Sequence, residues 1–110
     1  MLPRVTFRGL PPSAEIIEVV TRKAFKLSLV EPSLRACHVV IEASAKGRQH
    51  PASYRVLVDL QGGTEAARRG ARHAHGQNLH AALSEVFRAV HRQLAIREGH
   101  RPSRPASFSA

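Results

Sequence analysis

The chain has 110 residues, of which 43% are hydrophobic and 23% charged, the composition of one small globular domain rather than of a disordered chain. Seventeen Lys and Arg against eight Asp and Glu give a formal charge of +9, which favours nucleic acid over a membrane as partner. A single cysteine excludes an intramolecular disulfide, and no signal peptide or long apolar run is visible, so we expect a cytoplasmic protein.

The first elements are a strand over residues 4–10 and a helix that begins after Ser13. Val5 and Phe7 alternate with polar residues, as in a half-buried strand, and Ser13 is a good helix N-cap. The helix has an apolar stripe of Ile16, Val20, Ala24 and Leu27, and its opposite side carries Glu18, Arg22 and Lys26. Glu18 is placed to pair with Arg22 one turn on, for about 0.3 kcal/mol.

Phe25 falls on the outer side of this first helix, away from the apolar stripe. We expect a neighbouring loop to cover it, with stacking on a partner as the alternative.

The middle of the chain predicts a β-hairpin and a short further strand. Residues 34–43 are rich in β-branched side chains, and residues 54–60 alternate apolar and polar positions. Cys37 lies on the same face of the predicted strand as Val39 and Ile41, so we expect its thiol to be an unreactive part of the core. Gly62 and Gly63 indicate a turn, after which residues 65–69 are the predicted fourth strand, and residues 70–77 lead into the second helix.

Residues 78–99 form the clearest amphipathic helix. Its apolar positions recur at spacings of three and four, and Arg88 and Arg92 lie opposite them with Ser84 and His91 beside them. Asn78 is a good N-cap.

The order β-α-β-β-β-α predicts an α+β domain with two layers, over residues 1–98, in which both helices pack on one face of a four-stranded, mostly antiparallel sheet. Residues 99–110 are rich in Pro, Ser and Arg and should be a flexible basic tail.

Catalysis has little support in these residues. The candidate metal ligands are His73, His75 and His80, and Glu85 is the candidate for a further ligand. However, no carboxylate lies close to the histidines in sequence, and polar turn positions explain these histidines better. No phosphate-binding loop is present, and Cys37 lies on an apolar strand face. We therefore expect no enzyme activity, no metal and no cofactor.

Nucleic-acid binding has more support. Arg22 and Lys26 on one helix, and Arg88 and Arg92 on the other, would form one basic surface if the helices lay side by side. Aromatic residues are only 5% of the chain, so recognition of the shape and backbone of folded RNA fits better than base stacking on an open sheet.

Six segments of the chain form a recognisable series: GLPPS (9–13), RKAFKL (22–27), CHVVIEA (37–43), YRVLVDL (54–60), HAHGQNLHAAL (73–83) and RQL (92–94). Together they resemble the ribosome hibernation promoting factors, the family that includes the ribosome-associated inhibitor A proteins and was once named for sigma-54 modulation. They follow the family's order and spacing over residues 3–98. Relatives often have Asp or Glu before the second helix and Tyr soon after its start, where this chain has Gln77, Asn78 and His80.

The resemblance implies a fold similar in layout to double-stranded RNA-binding domains and a non-enzymatic role. Family members bind the small ribosomal subunit where messenger RNA and transfer RNAs sit, and so silence idle ribosomes during stasis or stress. Matched position by position, the basic residues that would contact ribosomal RNA are Arg22, Lys23, Lys26 and Arg92, to which helical geometry adds Arg88.

The chain resembles the short members of the family, so we expect a monomer off the ribosome and no binding to DNA or membranes. The alternative is a basic protein-interaction module that regulates an acidic protein partner.

Overall fold

A computed structural model describes residues 2–44, 53–63 and 72–99 of the chain. In chain order the elements are β1 (Arg4–Arg8), α1 (Ala14–Val30), β2 (Leu34–Ser44), β3 (Ser53–Gly62), β4 (Arg72–Gly76) and α2 (Leu79–Gly99). The predicted order β-α-β-β-β-α is therefore confirmed. The structure is an α+β fold with two helices and one mixed sheet.

Both helices begin at the predicted caps. The Ser13 hydroxyl oxygen accepts a hydrogen bond from the backbone N–H of Ile16 at 3.2 Å, and the Asn78 side-chain oxygen accepts one from the N–H of Ala81 at 3.0 Å. Each cap satisfies a donor that would otherwise lack a partner in the first turn. The caps fix where each helix starts, and the apolar stripes decide which residues face the sheet.

The sheet has the strand order β1-β2-β3-β4. β1 runs parallel to β2 because α1 crosses over between them, whereas β2, β3 and β4 are antiparallel to their neighbours. In the central pair Val39 lies opposite Val58, and Ile41 opposite Val56. Alternation along each strand then sends one set of side chains toward the helices and the other to the open face.

The connection predicted over residues 70–77 is wrong, because part of it is a strand. The edge strand is Arg72–Gly76, inside the segment predicted to be a connection, and residues 65–69 lie outside the described residues. β4 pairs with β3 so that Ala74 lies opposite Val56, and Ala74 is buried. Its neighbours His73 and His75 point to the open face, so this strand has only one small apolar side chain facing the core.

The core lies between the sheet and the two helices. The helices contribute the predicted stripes, and the strands contribute their helix-facing apolar side chains: Ile16, Val20, Ala24, Leu27, Leu34, Cys37, Val39, Ile41, Val56, Val58, Leu60, Ala74, Ala82, Leu83, Val86, Phe87, Val90 and Leu94. Because both apolar stripes face the same side of the sheet, the outer faces of the helices lie next to each other in the solvent. The flexible tail stays a prediction, since residues 100–110 lie outside the described residues.

Candidate nucleic-acid interface

A shallow groove separates the outer faces of α1 and α2. Side chains of both helices line it: Lys23, Lys26, Ser84, Phe87, Arg88 and His91. Phe87 is 4% exposed and closes the groove toward the core, while Lys26, Arg88 and His91 are exposed at its rim. The groove therefore has an apolar base and a cationic rim supplied by two different helices.

Lys23 lies at the centre of a cluster of cations. Its pKa is lowered from the ordinary 10.5, first because the side chain is partly buried and then because Lys26, Arg88 and Arg22 place positive charge around it. A like charge shifts a pKa only when it lies close by, so the four cations share one patch of surface. We call Arg22, Lys23, Lys26 and Arg88 the cationic cluster.

Little negative charge offsets the cationic cluster. The Arg22 guanidinium lies 3.5 Å from the Glu18 carboxylate, which confirms the predicted pair, and both side chains are largely exposed. Within the described residues, no carboxylate lies within 4 Å of the other three members. The surface can therefore hold an anion without first breaking a strong internal ion pair, because an exposed pair of this kind contributes at most about 1 kcal/mol.

Arg92, the fifth predicted site residue, is exposed one helical turn beyond Arg88 but does not line the groove. It extends the basic surface along the outer face of α2. The predicted site contained only Lys and Arg, whereas Ser84 and His91 also line the groove. The spacing of Ser84, Arg88 and His91 along the helix was the available signal, since these positions follow one another on a single helical face.

Phe25 is 60% exposed, so the expectation that a neighbouring loop covers it is wrong. Leu29, one turn later on α1, is 66% exposed. The two side chains form an apolar patch on the outer face of α1, next to Arg22 and Lys26 in the helix.

The histidine candidates lie elsewhere. His73 and His75 project from β4 onto the open face of the sheet, with ring centroids 5.4 Å apart and the rings edge to face. His80 is exposed at the start of α2. No group of three or more potential metal ligands forms among the residues that the structure describes.

Cys37 is 1% exposed in the core, as predicted. Burial, together with the negative charge of Asp59, raises the pKa of its thiol to about 12. The thiolate is the reactive form of cysteine, so this side chain is unsuited to nucleophilic chemistry at neutral pH.

Neither helix of the described structure is both long and apolar enough to cross a bilayer.

Comparisons with known proteins agree with the motifs. The family model described as sigma 54 modulation protein / S30EA ribosomal protein matches residues 4–99, and this family is ribosome-associated and non-enzymatic. A search of curated proteins finds no match. The N-terminal domain of Thermus thermophilus Protein Y superposes with a TM-score of 0.62 at 20% identity, covering 86% of this chain and 94% of that one. A ribosomal subunit interface protein from Coxiella burnetii gives a TM-score of 0.57 at 15% identity, covering 90% and 99%. Since the family model spans nearly all of the described structure, the chain belongs to the sigma 54 modulation / S30EA ribosomal protein family.

Proposed function

We propose that this protein is a cytoplasmic hibernation factor that inhibits translation by binding the small ribosomal subunit at its messenger and transfer RNA sites during stasis or stress. Family membership makes it ribosome-associated. The cationic cluster supplies the contact surface, with Arg92 extending it. The phosphates of ribosomal RNA are the matching partner, and no enzymatic step or cofactor is needed.

The single observation that carries this proposal is that Lys23 and Lys26 of α1 and Arg88 of α2 line one groove, which brings like charges together around Lys23. Burial and the neighbouring cations all disfavour the protonated form of Lys23. Such an arrangement weakens the free domain, because bringing like charges together costs free energy. A polyanion that lies across the two helices would remove that cost and release its counterions, so the free energy gained on binding is larger than for dispersed charges.

Charge reversal tests the surface directly. The wild-type protein should co-sediment with purified small subunits and inhibit translation in vitro. Replacing Arg22, Lys26, Arg88 and Arg92 together with Glu should abolish both, while circular dichroism and urea unfolding show a folded domain. Unchanged binding of this variant would overturn the site assignment.

A matched pair of variants distinguishes the effect of the cationic cluster on binding from the effect of net charge. Lys26→Glu with Arg88→Glu removes two cations from the cluster, whereas Arg4→Glu with Arg35→Glu removes two exposed cations from the strands. Both variants change the net charge equally. Only the first should lose binding, and an equal loss in both would mean that charge alone drives association.

Competition tests the position on the subunit. Messenger RNA with a bound transfer RNA should displace the protein from small subunits, because both would use the same sites. Retention of the protein alongside them would contradict the proposed location. Association that survives digestion of the RNA by ribonuclease would instead favour the acidic protein partner.

A further inference from the structure

His91 is the histidine that lines the groove between the two helices. It shares the groove with Lys23 and Lys26 of α1 and with Ser84 and Arg88 of its own helix. Its side chain is exposed, and among the described residues no hydrogen bond or ion pair engages its imidazole. The ring nitrogens are therefore available to a ligand that enters the groove.

The charged side chains that surround His91 are cations. Lys23 and Lys26 face it from α1, the helix packed against α2, and Arg88 lies one turn before it on α2. Arg92 is the next residue along the helix, while the strands pack against the opposite, apolar side of α2. In the described part of the chain no carboxylate lines the groove. The negative partner of a protonated His91 must therefore come from a ligand.

A phosphate in the groove would interact differently with the two protonation states of His91. A histidine side chain changes its charge between about pH 5 and pH 8. The imidazolium carries a positive charge and donates from both ring nitrogens, whereas the neutral ring has one N–H donor. A bound phosphate favours the protonated form, and by thermodynamic reciprocity the protonated form favours the bound phosphate.

We propose that His91 contacts a backbone phosphate of the small-subunit RNA in its protonated form, so that complex formation takes up a proton and the affinity for ribosomes rises as the pH falls. This inference rests on the proposed function and adds regulation by pH to the same groove. The lysines and arginines attract RNA throughout the neutral range, and His91 adjusts how tightly the RNA is held. A cell whose cytoplasm acidifies would thereby retain more of the protein on its ribosomes.

Affinity for purified small subunits at pH 8 and pH 6 tests the proton linkage. On going from pH 8 to pH 6, the affinity of wild type should rise about three-fold more than that of His91→Gln, as expected for one exposed ion pair. His91→Gln keeps a polar side chain that does not take up a proton in this range. His91→Arg carries a permanent charge, so it should bind more tightly than wild type at pH 8 and share the weaker pH dependence of His91→Gln.

Two further measurements distinguish an RNA contact from a structural role of His91. At pH 6 the slope of log affinity against log salt should be steeper for wild type than for His91→Gln by about 0.7, because one further phosphate is neutralised. At pH 8 the two slopes should agree. Calorimetry at pH 7 in two buffers of different ionisation enthalpy should show that wild type takes up more protons on binding than His91→Gln does.

His80→Gln is the matched control, because His80 is exposed at the start of the same helix and does not line the groove. It should keep the pH dependence of wild type. Equal pH dependence of wild type and His91→Gln, or a loss in His80→Gln alone, would overturn the role of His91. Either result would leave the proposed function standing, since the cluster variants test it separately. Absence of binding by the wild-type protein at both pH values would remove both.

Discussion

Lys23 of α1 and Arg88 of α2 line the same groove, and the charge of Arg88 acts on the protonation of Lys23. The largest influence on the Lys23 pKa is burial, followed by the charges of Lys26, Arg88 and Arg22. The protonated Lys23 is thus less favourable in the folded domain than in the unfolded chain. The residue at the centre of the proposed binding surface therefore opposes folding at neutral pH.

Replacing Lys23 with Met should stabilise the domain at pH 7 by up to about 1 kcal/mol, because partial exposure limits the effect. The folded-state pKa lies below the unfolded 10.5, so the penalty is fully present below both values. It is relieved as the pH rises through the folded-state pKa toward 10.5, because the unfolded chain then binds more protons than the folded domain. Urea unfolding should accordingly show the difference between Lys23→Met and wild type shrinking between pH 7 and pH 11.

Lys26→Met is the control for Lys23→Met, since Lys26 is exposed and its removal should change the free energy of unfolding less. Lys23→Met should also weaken binding to small subunits. A variant that is destabilised at pH 7, or whose stability parallels that of wild type at every pH, would show that Lys23 carries no such penalty.

Glu18→Gln should strengthen ribosome binding. The substitution frees Arg22 from its 3.5 Å ion pair and removes a negative charge beside the cationic cluster. We expect affinity to rise about two-fold to three-fold, with a loss of stability below about 0.5 kcal/mol, since the pair is exposed. Binding at several salt concentrations and urea unfolding measure the two effects.

Glu15→Gln is the matched control for Glu18→Gln, because Glu15 is an exposed carboxylate in the first turn of α1. It changes the net charge equally. A similar gain in affinity in both variants would attribute the effect to net charge rather than to the release of Arg22.

Local sequence patterns predicted most of the fold because periodicity is a local property. The stripe from Ile16 to Leu27 and the alternation around Val56 each identify a buried face within a few residues. β4 was taken for a connection because Ala74 is the only buried side chain among residues 73–76, and one Ala between two His is too weak an apolar signal. Its strand identity comes from pairing with β3, which is a tertiary contact.

The candidate site could be predicted from the sequence only in part. Helical geometry places Arg22, Lys26, Arg88 and Arg92 on outer faces, but it does not say how closely two helices approach. The positions of Lys23 and His91 inside the groove depend on that approach. The exposure of Phe25 also depended on tertiary packing, and there the expectation from sequence was wrong.

Gly9→Ala should destabilise the domain by about 2 kcal/mol or more. Gly9 has φ +78°, a conformation that is costly for residues with a Cβ atom, and an added Cβ would lie 2.5 Å from the carbonyl oxygen of Ala43. Gly76→Ala is the control, since its Cβ would meet its nearest neighbours, backbone atoms of Asn78, at 3.9 Å. Urea unfolding should separate the two variants clearly, and equal stabilities would contradict the close approach of Gly9 to β2.

Cys37 should react with thiol reagents only when the domain unfolds. Its thiol is 1% exposed and has a pKa of about 12 owing to burial and the charge of Asp59, so the reactive thiolate is scarce at pH 8. Labelling followed by mass spectrometry should be slow in buffer and rise through the urea transition in parallel with circular dichroism. Ser84→Cys supplies the contrast, because Ser84 lies in the groove beside cations that favour a thiolate. If native Cys37 were labelled as fast as the cysteine of that variant, the core between β2 and the helices would open without global unfolding.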